Sequence, residues 1–471
     1  MPFRRVRPTS RRAPRTHDWY MSPGFARRPV PDLSGSSGAA DKAAAVYRQS
    51  EQTIDFAFMN PAPDCRESPQ GLIDETDLVP TVLTEPKLSR LRATAARLRR
   101  GFLKLRWTLA VYVSSRVLLL VVALVDLPLF HRSLASELGN WDGFWYIKLA
   151  TQGYPTHVPH VYSTLGFFPL YSMLIWLVAH VLFCSYVIAA VIISGVGGLV
   201  ATILVQRLCT NWWGESNGRR AVLFFCLFPG SVVFSMAYSE CLLIPLAAGC
   251  LLALEQRRWL LAGILAGFAT AIGPDAVAIV PTCAVFALLE LYRSGWRDRQ
   301  AWRSLVAPAL APVGLCAFGA FLWIHDGSPF ACFEAQRYAW GERTDAFALV
   351  HQAMTLADEI ALPRFDYHAI NLNYISGLLG AVVLVIGIVL LLRRAHRPPA
   401  VAITWALGIA FLAVTSENTP PNPRLLITSF PAVLVIVCYL KDRGFRWLIA
   451  GSTVFLVVMS AITYVGFALR P

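Results

Sequence analysis

The chain has 471 residues, of which 56% are hydrophobic and only 15% charged, and its mean hydropathy is +0.51. A soluble domain carries roughly 25% charged residues, so the balance excludes an ordinary soluble enzyme and points to a membrane protein. The net charge of +13 lies in an N-terminal stretch and in short loops between apolar runs, where basic residues set topology and meet anionic lipid; nucleic acid is not an expected partner.

Residues 1–86 are rich in Arg, Pro, Ser and Ala and hold no lasting helical or strand period. They bury too little apolar surface to offset their ordering entropy, so a disordered, basic, cytoplasmic tail is expected. This stretch contains no apolar core of signal-peptide length, which leaves the first spanning helix as the insertion signal; Met21 and Met59 are alternative starts. In 87–106, Leu88, Leu91, Leu98 and Leu105 alternate with Lys87, Arg90, Arg92, Arg97, Arg99, Arg100, Lys104 and Arg106. That pattern predicts a basic amphipathic juxtamembrane helix on the cytoplasmic leaflet.

Residues 107–471 read as a polytopic, all-α membrane domain. Apolar runs bounded by charge, Pro or Gly predict about eleven spans, near 107–130, 186–205, 221–237, 240–254, 258–272, 276–291, 304–324, 371–392, 400–415, 425–440 and 446–467. One further run, Phe167–Phe183, decides the topology. If it does not cross, the basic residues at Arg207, Arg219, Arg220, Arg257, Arg258, Arg293, Arg297, Arg299, Arg303, Arg393, Arg394, Arg397, Lys441, Arg443 and Arg446 all fall inside; if it crosses, all fall outside. The run, interrupted by Pro169, is therefore expected to be a re-entrant or interfacial helix of the first outer loop. Most of the ten cysteines (Cys184, Cys226, Cys241, Cys250, Cys283, Cys316 and Cys438 among them) lie in apolar runs with no C-x-x-C pair, and read as small buried hydrophobes.

With this topology every loop of unusual chemistry is on the outer side. In the first, LGNWDGFWYIKLATQGYP, Asp142 is flanked by Trp141, Trp145 and Tyr146, with Lys148 beyond. A carboxylate walled by rings can serve as general base toward a sugar hydroxyl, and Lys148 can meet a phosphate; a solvated Asp in an interfacial aromatic belt is the plainer alternative. Glu240, beside Tyr238 and Ser239, stands at the outer end of a span. Arg424, in NPRLLITSFP, could hold a lipid-linked phosphate through bidentate hydrogen bonds, or be a stray outside charge. Arg116, inside the first span, either faces a partner or cavity or snorkels to the inner surface. His157 and His160 flank Pro159 with no carboxylate nearby, so no metal site is expected.

Trp141-Asp142, then Ile147, Ala150, Gly153-Tyr154 and Phe167-Phe168-Pro169-Leu170-Tyr171, resemble the first outer loop of the phosphatidylinositol-glycan class V mannosyltransferases, which add the second mannose of GPI, and of their bacterial relatives. Phe228-Pro229, Ser231, Phe234 and Tyr238-Ser239-Glu240 resemble that family's second block, Trp259–Pro281 its following helix pair, and Gly327–Arg343 its next loop. The resemblance runs from about Trp107 to Pro431. It implies a GT-C glycosyltransferase, an inverting mannosyltransferase using a polyprenyl-phosphate-mannose donor on the outer face of the plasma membrane, with a lipid, glycan or protein acceptor and no metal or other cofactor. By that analogy Asp142 is the catalytic base, while Trp141, Tyr146, Lys148, Phe168, Tyr238, Glu240, Arg337 and Arg424 are candidates for substrate binding. One departure stands out: relatives read Arg-Pro where this chain has Gly273-Pro274-Asp275, so if that arginine contacts the donor phosphate, either Arg424, Lys148 or Arg337 substitutes or activity is reduced. A transporter or flippase of lipid-linked sugars, and a non-catalytic partner subunit, are the alternatives; the absence of a clear internal repeat speaks against the first.

Overall fold

The computed structural model describes residues 85–131, 133–155, 162–361, 371–466 and 469, with side chains from 105 onward. Nearly all the expected tail 1–86 and the pair His157 and His160 lie outside the described residues. The described part is helical throughout, apart from one isolated antiparallel bridge between Thr344 and Ser416.

Among the described residues, six helices are long and apolar enough to cross a membrane: Leu105–Phe130, Tyr186–Leu227, Pro274–Arg293, Ala301–Asp326, Leu372–Leu392 and Asp442–Val465. In chain order we label α1 (Glu85–Phe130), α2 (Leu134–Leu138), α3 (Asp142–Gln152), α4 (Pro169–Val181), α5 (Tyr186–Leu227), α6 (Glu240–Glu255), α7 (Trp259–Ala269), α8 (Pro274–Arg293), α9 (Ala301–Asp326), α10 (Ala331–Ala339), α11 (Ala348–Ile360), α12 (Leu372–Leu392), α13 (Ala400–Thr415), α14 (Pro423–Thr428), α15 (Phe430–Leu434) and α16 (Asp442–Val465). The α4 run has 13 residues, a length of about 20 Å, short of the roughly 30 Å hydrocarbon core. Helix α5 breaks at Gly214, so its two halves form separate rods around the expected inside loop. The first half of α5, α6 and α7 pack side by side, with α1 and α16 on a neighbouring flank of α5.

Two expected spans are not continuous helices. The run 221–237 ends its α-helix at Leu227 and continues as a 3-10 turn over Pro229–Phe234. Pro229 lacks an N–H and forces Phe228 into an extended conformation (φ −69°, ψ 140°), which ends the ladder. The run 425–440 is split into α14, α15 and a 3-10 turn over Val435–Cys438, with the break at Ser429 (φ −82°, ψ 40°) just before Pro431. Apolar composition alone reads straight through both breaks. The two broken segments pack against each other, α14 on the 229–234 turn.

A break at membrane depth leaves carbonyl groups that only the protein can satisfy. Arg116 on α1 does this for the first one. Its Nη1 donates to Ser231 O at 2.6 Å and Ser235 Oγ at 3.0 Å, and its Nη2 to Cys226 O at 3.2 Å and Ser231 Oγ at 3.1 Å. The guanidinium also lies 5.3 Å from the Tyr112 ring centroid. Of the two readings open for Arg116, the structure selects the partnered one: it braces the turn that leads into Tyr238–Glu240. Arg116→Met is therefore expected to cost about 1–3 kcal/mol, since Ser231 O loses its side-chain donor while Cys226 O keeps the one from Ser231 Oγ. The melting temperature of the purified protein in detergent measures this, and an unchanged value would show that the arginine is dispensable to the turn.

Candidate active site

Three chain segments meet at one guanidinium. Asp142 opens α3, Glu240 opens α6, and Arg424 lies in the first turn of α14, whose N-cap Asn422 accepts from Leu425 N at 3.0 Å. Arg424 Nη1 donates to Asp142 Oδ2, and Arg424 Nε lies 3.4 Å from Glu240 Oε1. The guanidinium also sits over the Tyr238 ring, 5.5 Å from its centroid. Asp275, just after Pro274, adds its negative charge to the field at Arg424 and Glu240. Three carboxylates thus act on one cation.

Exposure grades the three ion-paired side chains: Asp142 is 33% accessible, Arg424 17% and Glu240 6%. Asp142 is the member a ligand reaches first. Its backbone N–H donates to Tyr238 Oη at 3.4 Å, and Tyr146, one turn along α3, donates its hydroxyl to Ser239 Oγ at 2.9 Å. Burial pushes both phenols far above their ordinary range, so Tyr146 and Tyr238 stay protonated and hold the Tyr238–Glu240 strap against α3.

The local sequence explains the approach. A Cβ at Gly143 would lie 3.0 Å from both Cβ and O of Ala237, and one at Gly230 would lie 2.0 Å from Pro423 O. A side chain at 230 would displace the start of α14, and one at 143 would need Ala237 to give by a few tenths of an ångström, so both glycines ease the close approach to the 229–237 segment. Before Asp142, Trp141 adopts φ 57°, ψ −125°, a conformation that costs a non-glycine residue energy, and it is held there by a hydrogen bond from Nε1 to Thr463 O of α16 at 3.0 Å.

The other candidates are placed elsewhere. Lys148 Nζ rests over the rings of Trp145, at 5.1 Å, and Phe144, at 5.9 Å. Phe168 is buried in a satellite core with Leu165, Phe318 and Cys332, its ring 4.7 Å from that of Phe318. Arg337 is exposed on α10. Sequence reasoning did not single out Trp340, whose ring packs edge-on to Trp145 at 5.5 Å, or Glu342 and Asp275. Glu342 accepts from Ser416 Oγ at 2.5 Å and Thr419 Oγ1 at 3.0 Å, while Asn418 Nδ2 donates to Trp340 O at 2.5 Å and Glu417 N to Arg343 O at 3.0 Å. The 340–345 loop is thereby clasped to the 415–419 segment that leads into Arg424.

Two apolar cavities flank the region. The larger, about 1990 Å³, runs along α5, α6 and α7 from Ser172, Leu149 and Leu242 to Arg207 and Gln256. Its span along α5, from Ile192 to Arg207, is about 22 Å at 1.5 Å per residue. The smaller, about 380 Å³, lies between α12 and α16 and touches Pro229 and Pro423.

Residues 110–327 match the family model for the PIG-V mannosyltransferases. The matched stretch holds Asp142, Glu240 and Asp275, while Arg424 lies outside it. No curated protein sequence matches the chain. Among solved structures it is similar to ArnT from Cupriavidus metallidurans bound to undecaprenyl phosphate (16% identity, TM-score 0.43, covering 74% of this chain and 63% of that one). It is also similar to the oligosaccharyltransferase of Archaeoglobus fulgidus (16% identity, TM-score 0.43, 75% and 53%), and to AglB of the same organism in complex with an inhibitory peptide and a dolichol-phosphate (13%, TM-score 0.40, 79% and 57%). The chain thus spans only between 53% and 63% of the length of these structures.

Burial holds the Glu342 carboxyl above its ordinary value, against the opposing hydrogen bonds from Ser416 and Thr419. A carboxyl raised in the folded state takes up more protons there than in the unfolded chain, so its contribution to stability is complete below the ordinary value of 4.5 and declines as pH rises. The melting temperature of Glu342→Gln is therefore expected to lose less than that of wild type between pH 4.5 and neutrality. Parallel pH profiles for the two proteins would show that the clasp does not depend on a protonated Glu342.

Proposed function

We propose that the chain transfers mannose from a polyprenyl-phosphate-mannose donor to a hydroxyl of a lipid, glycan or protein acceptor at the non-cytoplasmic face of the plasma membrane. The observation that carries this reading is the convergence of Asp142 and Arg424, a base and a phosphate-binding cation, from positions 282 residues apart. In the reaction Asp142 accepts the proton of the acceptor hydroxyl, and the resulting oxygen attacks the anomeric carbon of mannose. The bond from that carbon to the phosphate oxygen breaks with inversion, and the lipid phosphate leaves. The guanidinium of Arg424 meets the charge that develops on the phosphate, in a site where low dielectric strengthens the contact.

The arginine expected before Pro274 is thus replaced by Arg424. Of the three cations weighed for that part, Arg424 alone has described ion pairs with the acidic cluster; Lys148 rests on rings and Arg337 is exposed. The large cavity gives a polyprenyl chain an apolar path along α5, α6 and α7. The aromatic rings around Trp145 supply flat apolar faces for pyranose C–H groups. The acidic groups lie at helix ends rather than deep in several spans, which favours chemistry at a membrane surface over transport through it.

Asp142→Asn keeps the volume and the hydrogen bond to Arg424 while removing the base. Membranes carrying it are expected to transfer radiolabelled mannose from polyprenyl-phosphate-mannose about 10²–10⁴-fold more slowly than wild type; equal transfer would end this reading of Asp142. Gly143→Ala places a Cβ 3.0 Å from Ala237, so α3 or Ala237 must give by a few tenths of an ångström, and the variant is expected to lower the same rate roughly threefold to tenfold, because small displacements of a reacting group are costly. Wild-type turnover by this variant would show that the close approach is irrelevant to the chemistry.

A further inference from the structure

The site as it stands is paired with itself. Asp142 Oδ2 is taken by Arg424 Nη1, so that oxygen is not open to an acceptor hydroxyl while the contact holds. Yet Arg424 has two acidic partners of very different character. Glu240 is 6% accessible, opens the N-terminus of α6 and lies behind Tyr238 and the 229–234 turn that Arg116 braces. Asp142 is 33% accessible and belongs to the side from which a ligand approaches. Among the described residues Arg424 Nη2 has no protein acceptor, so the fork is only partly used.

We infer that Asp142 and the phosphate of the lipid-linked sugar compete for Arg424, so that arrival of the donor releases the carboxylate that then deprotonates the acceptor, while Glu240 keeps the guanidinium in place. This rests on Arg424 being the phosphate-binding group. Glu240 is a positioning residue: it touches Arg424 and not the reacting atoms. The exchange is a swap of one anion for another on the same donors. It needs no movement of the backbone, only a turn of the accessible Asp142 side chain. Its consequence is an order of events: an empty site holds its base inactive, and the acceptor meets a competent carboxylate only after the donor is seated.

The test is the affinity of full-length, detergent-purified protein for a radiolabelled polyprenyl phosphate. Arg424→Gln is expected to lose binding at least tenfold. Asp142→Asn, which removes the competing anion, is expected to bind about tenfold more tightly than wild type, and Asp142→Ala to agree with it should the asparagine variant not fold. Glu240→Gln is expected to weaken binding by leaving Arg424 without its anchor. Asp275→Asn supplies the control for a general loss of negative charge: it removes a carboxylate that Arg424 feels without pairing directly to it, and a gain well below that of Asp142→Asn is expected. If Arg424→Gln binds as wild type does, Arg424 is not the phosphate site and the functional reading loses its cation. If Arg424→Gln loses binding but Asp142→Asn gains none, or gains no more than Asp275→Asn, the exchange is wrong while the assignment of Arg424 stands.

Discussion

A single guanidinium organises this molecule. Arg424 is nearly buried, so its charge must be answered, and the answer comes from Asp142, Glu240 and Asp275 on three separate helices. Each of those helices has to end where it does for its acid to arrive. Asp142 and Glu240 stand at the first positions of α3 and α6, where the helix dipole also favours a negative group. Much of the irregular backbone in the domain, from the strained Trp141 to the turn at 229–234 and the interrupted α14–α15 segment, exists around this meeting point.

The irregularity in turn explains a second charged group, Arg116, within the first long apolar helix. A helix that stops inside the membrane exposes carbonyls, and hydrocarbon offers no water to satisfy them. Arg116 fills that need with four hydrogen bonds to the 226–235 stretch. One arginine thus holds up the backbone that positions the acid facing the other. The 340–345 loop adds a second support, clasped through Glu342 to the segment before Arg424.

The sequence displayed the helical class and most of the long spans, because runs such as 372–392 are apolar over their full length. It also displayed Asp142, Glu240 and Arg424 as loop-end charges among rings and prolines. Their union could not be read, since Asp142 and Arg424 are 282 positions apart and no periodicity encodes a contact at that range. The breaks at Pro229 and Pro431 were visible as residues, but each lies in a run so apolar that hydropathy outweighed them. Lys148 shows the opposite failure. Its place near Asp142 in the chain suggested a phosphate contact, whereas the helical turn carries it onto Trp145 and Phe144. Phe168 likewise belongs to a packed satellite core, which a motif of consecutive aromatic residues does not reveal.

The hydrogen bond from Trp141 to Thr463 joins the loop that bears Asp142 to the final long helix, 322 residues further along. Arg424 also arrives late in the chain. During synthesis, then, the acid emerges and enters the membrane long before either of the groups that fix its geometry has left the ribosome. A nascent or prematurely ended chain lacking α16 has the motif but not the site. Assembly of the last segments is the step that completes the cluster around Arg424, and lesions near the C-terminus should be read as lesions of the loop that bears Asp142.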